Sequence, residues 1–265
     1  YNDINTNNAL YLSISLMGLW WLVFSIYSLR KFKDYPGKVI PNNIHPISFS
    51  WNRTIQTIKN LKHFPEMRKY IISYFLFSDG YSTISTCGIL YAKAELGISE
   101  SILLQLLIMM FIVSCIGNYF FLYIQKKFDI EPKKILMSQL IGYICLSIYG
   151  FFIKDVNYMM IFGIIHGFLI GSVQSYSRTI FMQLIPINEE AQFFSLYEIS
   201  DKGSSWLGPI IFAIISQHVS IRYGFIYIFS ILCISLPLLY YLNMKQGIID
   251  REYNINDNDN NNIGV

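Results

Sequence analysis

Four stretches of this chain carry no charged residue over the length of a bilayer core: Ala9–Leu29, Ser101–Gln125, Ile135–Ile153 and Tyr223–Met244. A hydrocarbon core about 30 Å thick takes about 20 residues of helix. Inside it every backbone N–H and C=O must be satisfied within the protein, which helices do without closing strands into a barrel. Three further segments have similar length with few charges. Tyr70–Ala92 holds Asp79, Val156–Ser177 holds only His166, and Ala191–Gln217 holds Glu198, Asp201 and Lys202. The fold class expected is therefore all-α integral membrane, with seven transmembrane helices. Composition agrees, since 14% of the residues are charged against about 25% in soluble domains. The cysteines Cys87, Cys115, Cys145 and Cys233 each stand alone in a different apolar run, which argues against a disulfide framework or a zinc site.

The basic residues divide by side. Sixteen Lys and Arg fall in Arg30–Lys69, in Lys126–Lys134, at Arg178 and after Met244, whereas the alternate connections hold only Lys93, Lys154 and Arg222. The positive-inside rule puts the first set in the cytosol, with the Asn-rich lead Tyr1–Asn8 opposite and the C-terminus cytosolic. Within Arg30–Lys69 a polar, turn-prone start at Arg30–Lys38 gives way to an amphipathic pattern. Trp51, Ile55, Ile58, Leu61 and Phe64 run along one side, with Arg53, Lys59 and Lys62 elsewhere. Such a helix suits the headgroup plane or a seat on the protein's own loops. The Asn- and Asp-rich tail is expected to be disordered, because it cannot bury a core. The chain opens Tyr1-Asn2-Asp3 without a Met or a signal peptide, which suggests a piece of a longer protein.

Charged side chains within spans are costly and tend to face a wet cavity or a partner. Asp79 stands in Ser78-Asp79-Gly80-Tyr81-Ser82, and is read as a site for proton coupling in preference to a structural hydrogen bond. Glu198, Asp201 and Lys202 share a helix face at the head of an apolar run, and Ser204 and Ser205 extend that face inward. Further on, Gly208-Pro209 is expected to break the helix and free a carbonyl one turn earlier. Gly163, Gly167 and Gly171, followed by Ser175, place a small residue at every fourth position, a pattern for close helix packing. His166 lies off that face and reads as a hydrogen-bonded structural histidine. No metal-ligand cluster, nucleotide-binding loop or nucleophile–base pair is legible, and no nucleic-acid footprint, because the basic residues track topology. An enzyme is not expected, nor is any cofactor.

Three words then carry a resemblance: Ser78-Asp79-Gly80-Tyr81; Gln174-Ser175-Tyr176-Ser177-Arg178 with Leu184-Ile185-Pro186; and above all the run from Phe193 to Pro209, FFSLYEISDKGSSWLGP. Together they resemble the autophagy-linked vacuole effluxer family of the major facilitator superfamily, which often has Gly where Ser195 stands. The resemblance implies a major-facilitator-type bundle of twelve helices. This chain supplies residues 1–29 as the sixth helix, 30–69 as a cytosolic linker, 70–244 as the C-terminal six-helix half, and 245–265 as the disordered tail. It implies a multi-pass protein of the vacuole membrane that exports amino acids such as leucine, isoleucine and tyrosine to the cytosol. Its partners are then membrane lipid, the amino-acid substrate and a missing N-terminal half. The residues put forward for substrate binding or proton coupling are Asp79, Tyr81, Ser82, Tyr197, Glu198, Asp201, Lys202, Ser204 and Ser205. A transporter of another small solute, and a non-transporting membrane protein in autophagy, are the alternatives.

Overall fold

The computed structural model describes residues 2–33, 45–187 and 189–251, with the side chains of 2–7 and 46 outside the description. The start of the expected linker beyond residue 33 and the tail beyond residue 251 lie outside the described residues. No strand occurs among the described residues. The chain divides into two units, Tyr1–Phe49 and Ser50–Val265. The first contains α1 (Asn2–Lys31), within which Asn8–Lys31 forms a 24-residue span with mean hydropathy 1.8.

The second unit is a helical bundle. Its helices are α2 (Pro46–Asn60, which straddles the two units), α3 (Pro65–Ala94), α4 (Glu100–Phe128), α5 (Pro132–Phe151), α6 (Val156–Leu184), α7 (Glu190–Ser204), α8 (Leu207–His218) and α9 (Gly224–Tyr240). A short α10 follows over residues 244–251. Besides the span in α1, the helices long and apolar enough to cross a membrane are Glu100–Phe128, Pro132–Phe151, Val156–Leu184 and Ile221–Tyr240, which makes five among the described residues. Two of the seven expected segments differ. Helix α3 has ample length at 30 residues, but its interior carries Ser78, Asp79, Tyr81, Ser82, Thr83, Ser85 and Thr86. The sixth segment is two helices of 15 and 12 residues. Each rises about 1.5 Å per residue and so falls short of a bilayer core.

Helix α3 is the hub. It packs against α9, α7, α6 and α8, and more lightly against α5. Its tyrosines Tyr70, Tyr74 and Tyr91 and its Phe77 are among the largest fully buried side chains. Each polar atom that this packing buries needs a partner. Tyr70 donates to the Ser177 carbonyl of α6 at 2.7 Å, Ser73 to the Ser235 carbonyl of α9 at 3.0 Å, and Tyr91 to the Ile153 carbonyl at 2.9 Å.

At the start of α3, Pro65 fits the first turn, where its missing N–H costs nothing. The preceding amphipathic pattern is divided by this junction. Helix α2 stops at Asn60 and a 3₁₀ turn, Leu61–His63, carries the chain on. Leu61 and Phe64 enter the core, whereas Trp51 and Ile58 are exposed. Buried Thr57 hydrogen-bonds Gln192 of α7 at 3.1 Å. At the other end, the tail expected to be disordered from residue 245 is helical over 244–251. Asn243 caps it by accepting the Gln246 N–H at 3.2 Å, and its own N–H goes to Glu66 of α3 at 2.8 Å. A local cap and a carboxylate partner hold this start of the tail, which lies almost wholly ahead of the Asn- and Asp-rich stretch that argued for disorder.

The closest helix approach is between α4 and α6. An added Cβ at Gly167 would stand 2.7 Å from the Met110 carbonyl oxygen, and one at Gly171 would overlap the Ser114 hydroxyl. At Gly163 it would meet the flexible side chain of Leu106 at 3.1 Å. Dispersion contacts and lipid exclusion drive such approaches between apolar helices. Gly167→Ala should therefore lower the melting temperature, at a cost of about 1–3 kcal/mol for overpacking against backbone. Gly163→Ala should cost less, because Leu106 can move. Equal melting curves for wild type and Gly167→Ala would show that α4 yields freely there.

Candidate functional site

Polar side chains from α3, α7 and α9 and a backbone N–H of α8 meet where the sixth segment breaks, with Arg178 of α6 nearby. The helix stops at Ser204, and Ser205 and Trp206 form the turn before α8 starts at Leu207. Sequence reasoning set this break further on, at Gly208-Pro209. Its cause is nonetheless Pro209, which has no N–H for the Ser205 carbonyl four residues earlier. The break is displaced upstream by exactly that backbone register, and it opens the N-terminus of α8.

Asp79 of α3 occupies that N-terminus. Its Oδ1 accepts the Gly208 N–H at 2.8 Å, and its Oδ2 accepts the Tyr227 hydroxyl of α9 at 2.6 Å. A carboxylate at a helix N-terminus satisfies an orphan donor and complements the positive end of the helix dipole. Glycine is needed at 208 because a Cβ there would overlap Thr83 and stand 2.9 Å from Asp79 Oδ1. Asp79 is fully buried and tied to two helices. This geometry holds the break in place. It is the structural hydrogen-bonding that sequence reasoning ranked second for Asp79.

Asp201 of α7 gathers a second set. Its Oδ1 accepts from the Tyr74 hydroxyl at 2.7 Å, Ser78 at 2.9 Å and Tyr81 at 3.4 Å, while its Oδ2 lies 3.1 Å from Lys202 Nζ. Ser204 reaches Ser78 at 3.4 Å, so one α3 hydroxyl links two positions of α7. Charge-assisted hydrogen bonds of this kind are roughly twice as strong as neutral ones. Tyr197 stacks on Tyr74 with ring centres 4.2 Å apart. Beside this set, Glu198 lies 3.6 Å from Arg178 of α6, and both are well exposed, as is Lys202.

The structure thus brings Tyr81, Tyr197, Asp201, Lys202 and Ser204 together, and places Glu198 on the neighbouring exposed face. Asp79 lies one residue from Ser78 but faces α8 and α9. Ser82 turns back to its own helix, donating to the Asp79 carbonyl at 3.1 Å, and exposed Ser205 donates to the Lys202 carbonyl at 2.9 Å. His166 shares a 2.9 Å hydrogen bond with Ser85 of α3. Sequence reasoning missed Tyr74, Ser78 and Tyr227 as partners. Tyr74, Ser78 and Tyr81 were findable, since spacings of four and three put them on one helix face. Nothing local marks Tyr227, which reaches Asp79 from 148 positions away. Among the described residues no group of three or more His, Cys, Asp or Glu side chains could hold a metal ion.

Asp79→Ala leaves the Gly208 N–H and the Tyr227 hydroxyl buried without acceptors, each costing about 1–3 kcal/mol. Asp79→Asn keeps an acceptor for Gly208 and can donate to the Tyr227 oxygen. Thermal unfolding should therefore shift down clearly for the alanine variant and little for the asparagine one. A large shift for asparagine alone would mean that the charge, and not the hydrogen bonding, holds the break.

Comparison with known proteins gives a consistent picture. Residues 1–252 match the family described as "Vacuole effluxer Atg22 like". Autophagy-related protein 22-1 of Aspergillus niger is 28% identical over 91% of this chain and 43% of its own length. Autophagy-related protein 22 of Coccidioides immitis is 29% identical over 92% of this chain and 44% of its own length. That of Vanderwaltozyma polyspora is 28% identical over 87% of this chain and 50% of its own length. The chain spans about half the length of the curated relatives it matches. With the family match covering nearly all of the described residues, the chain belongs to the vacuole effluxer Atg22-like family.

Proposed function

We propose that this chain forms half of a secondary transporter of the vacuole membrane, which exports amino acids such as leucine, isoleucine and tyrosine to the cytosol. The observation that carries the reading is the grouping of Glu198, Asp201 and Lys202 on α7, with Arg178 of α6 beside Glu198. Charge within a membrane-spanning segment is expensive and is kept where it faces a water-filled path or a substrate. A zwitterionic amino acid offers both an ammonium and a carboxylate, and this face offers both signs. The family description, which names efflux and not catalysis, supports the reading.

In this proposal seven spans cross the membrane, with α3 as one and α7 with α8 together as another. Broken spans are tolerated where they are buried in protein or line a cavity, and half-helix ends there meet charged groups. The bundle then corresponds to the C-terminal half of a major-facilitator-type arrangement, with α1 as the preceding sixth helix. The chain's coverage of about half of each matched relative is in keeping with this. Asp201 is the proposed pivot. Its carboxylate gathers three hydroxyls of α3 and carries Lys202 beside it, so a substrate ammonium could exchange for the lysine.

Two measurements test the proposal. In a protein of the relatives' full length, freed of its native cysteines, a cysteine at Asn60 or Asp129 should react with a cytosolic thiol reagent and one at Asn157 should not. Cytosolic labelling at Asn157 would reverse the orientation. In vesicles loaded with labelled leucine, Asp201→Ala should slow efflux by roughly tenfold or more, the factor given by about 1.4 kcal/mol of barrier. Efflux of some other solute but no amino acid would assign a different substrate class. Unaltered leucine efflux in Asp201→Ala would remove Asp201 from the path.

A further inference from the structure

Three polar side chains of α5 and α6 keep unpartnered atoms inside the bundle, apart from the Asp201 set and the Asp79 clamp. Gln139 and Tyr143 of α5 are fully buried, and His166 of α6 is 2% exposed. Both amide atoms of Gln139, the Tyr143 hydroxyl and the His166 Nδ1 have no hydrogen-bond partner among the described residues. Gln139 and Tyr143 are four apart on α5 and so share a helix face. The Tyr143 ring stands edge-on to the His166 ring with centres 5.7 Å apart. It also lies 6.3 Å from the ring of Tyr81, whose hydroxyl belongs to the Asp201 set.

Four unpartnered polar atoms at zero or near-zero exposure are costly, because each has lost its hydration without gaining a hydrogen bond. Native proteins resolve such groups with ordered water, which needs two to four polar partners. The groups here are an amide, a phenol and an imidazole nitrogen. They offer donors and acceptors without a carboxylate or an ammonium. That set fits water and does not fit an ion or a zwitterion, which would need opposite charge. The opposite ring nitrogen of His166 is already engaged by Ser85, which orients Nδ1 away from that bond.

We propose that Gln139, Tyr143 and the Nδ1 edge of His166 enclose a buried water site between α5 and α6, next to the Tyr81–Asp201 contact. The bundle is then hydrated internally, beside the hydroxyls that gather around Asp201. The water supplies the hydrogen bonds that the helices do not supply to one another.

Radiolytic hydroxyl-radical labelling in ¹⁸O-water tests this on the full-length protein in nanodiscs, because radicals generated at a bound water mark the side chains around it. Tyr91 is the internal control, being fully buried with its hydroxyl bonded to the Ile153 carbonyl. Tyr143 should incorporate the label at least several-fold faster than Tyr91. Protection of Tyr143 equal to that of Tyr91 overturns the proposal. A second readout is the melting temperature of Tyr143→Phe. Loss of one of the water's partners should lower it by about 2–4 °C, whereas in a dry site removal of an unpaired hydroxyl leaves it unchanged or raises it, which also overturns the proposal. Neither measurement depends on transport, so both hold whatever the substrate.

Discussion

The structure depends on satisfying the polar side chains of α3 in an interior that has few partners to offer. Tyr70, Ser73, Tyr74, Ser78, Asp79, Tyr81, Ser85 and Tyr91 all make hydrogen bonds, most of them to another element. In water each of these groups could turn to solvent. Buried inside the bundle, an unmade bond costs about 1–3 kcal/mol. Each bond therefore selects one rotation of α3 and one seat for the neighbour that receives it. The surrounding apolar contacts add cohesion, but lipid tails compete for them on nearly equal terms. Specificity in this bundle comes from its hydroxyls and carboxylates.

Two carboxylates one helix apart in the sequence of contacts do different work. Asp79 is spent on backbone and on Tyr227, which fixes where α8 begins and how it meets α9. Asp201 is bound only by side chains, three hydroxyls and a lysine. Side-chain partners can be exchanged at the cost of a rotamer change, whereas a backbone N–H at a helix terminus cannot move without its helix. Asp79 is thus tied to the backbone of α8, whereas the bonds of the Asp201 carboxylate run through side chains alone. Pro209 underlies both, because the break it causes separates the helix bearing Asp201 from the helix that Asp79 holds.

A contrasting principle joins α4 to α6. There polar groups play little part, and contact is made by leaving side chains out, with Gly117 against the Phe168 backbone and Gly167 against that of Met110. Close backbone approach gathers many small dispersion contacts over a long seam. Helix α4 consequently needs few buried side chains of its own and presents most of its surface outward. It is the helix whose partner is set by shape, while α3 is the helix whose partners are set by chemistry.

Much of this was legible in the amino-acid order alone. Charge-free runs of bilayer length dictate helices, since a backbone in lipid has no other local way to pair its polar groups. The four-residue glycine spacing marks a face made for close contact, and Pro209 marks a break within one turn of where it occurs. Helix existence, span length and the family words are local properties, written in consecutive residues. The partners of the buried polar groups are not local. Asp79 reads from the sequence as a titrating site in preference to a structural acceptor, and the bonds it receives from α8 and α9 are visible only once those helices are placed around it. Tyr227, with no motif of its own, became visible only when folding brought it to that carboxylate. Likewise residues 245–251 were counted with the Asn- and Asp-rich tail that follows them, and the cap at Asn243 with its bond to Glu66 makes them helical. Periodicity tells which face of a helix is polar. Only tertiary packing decides what that face meets, because a hydrogen bond needs two groups within about 3 Å and the sequence specifies one of them at a time.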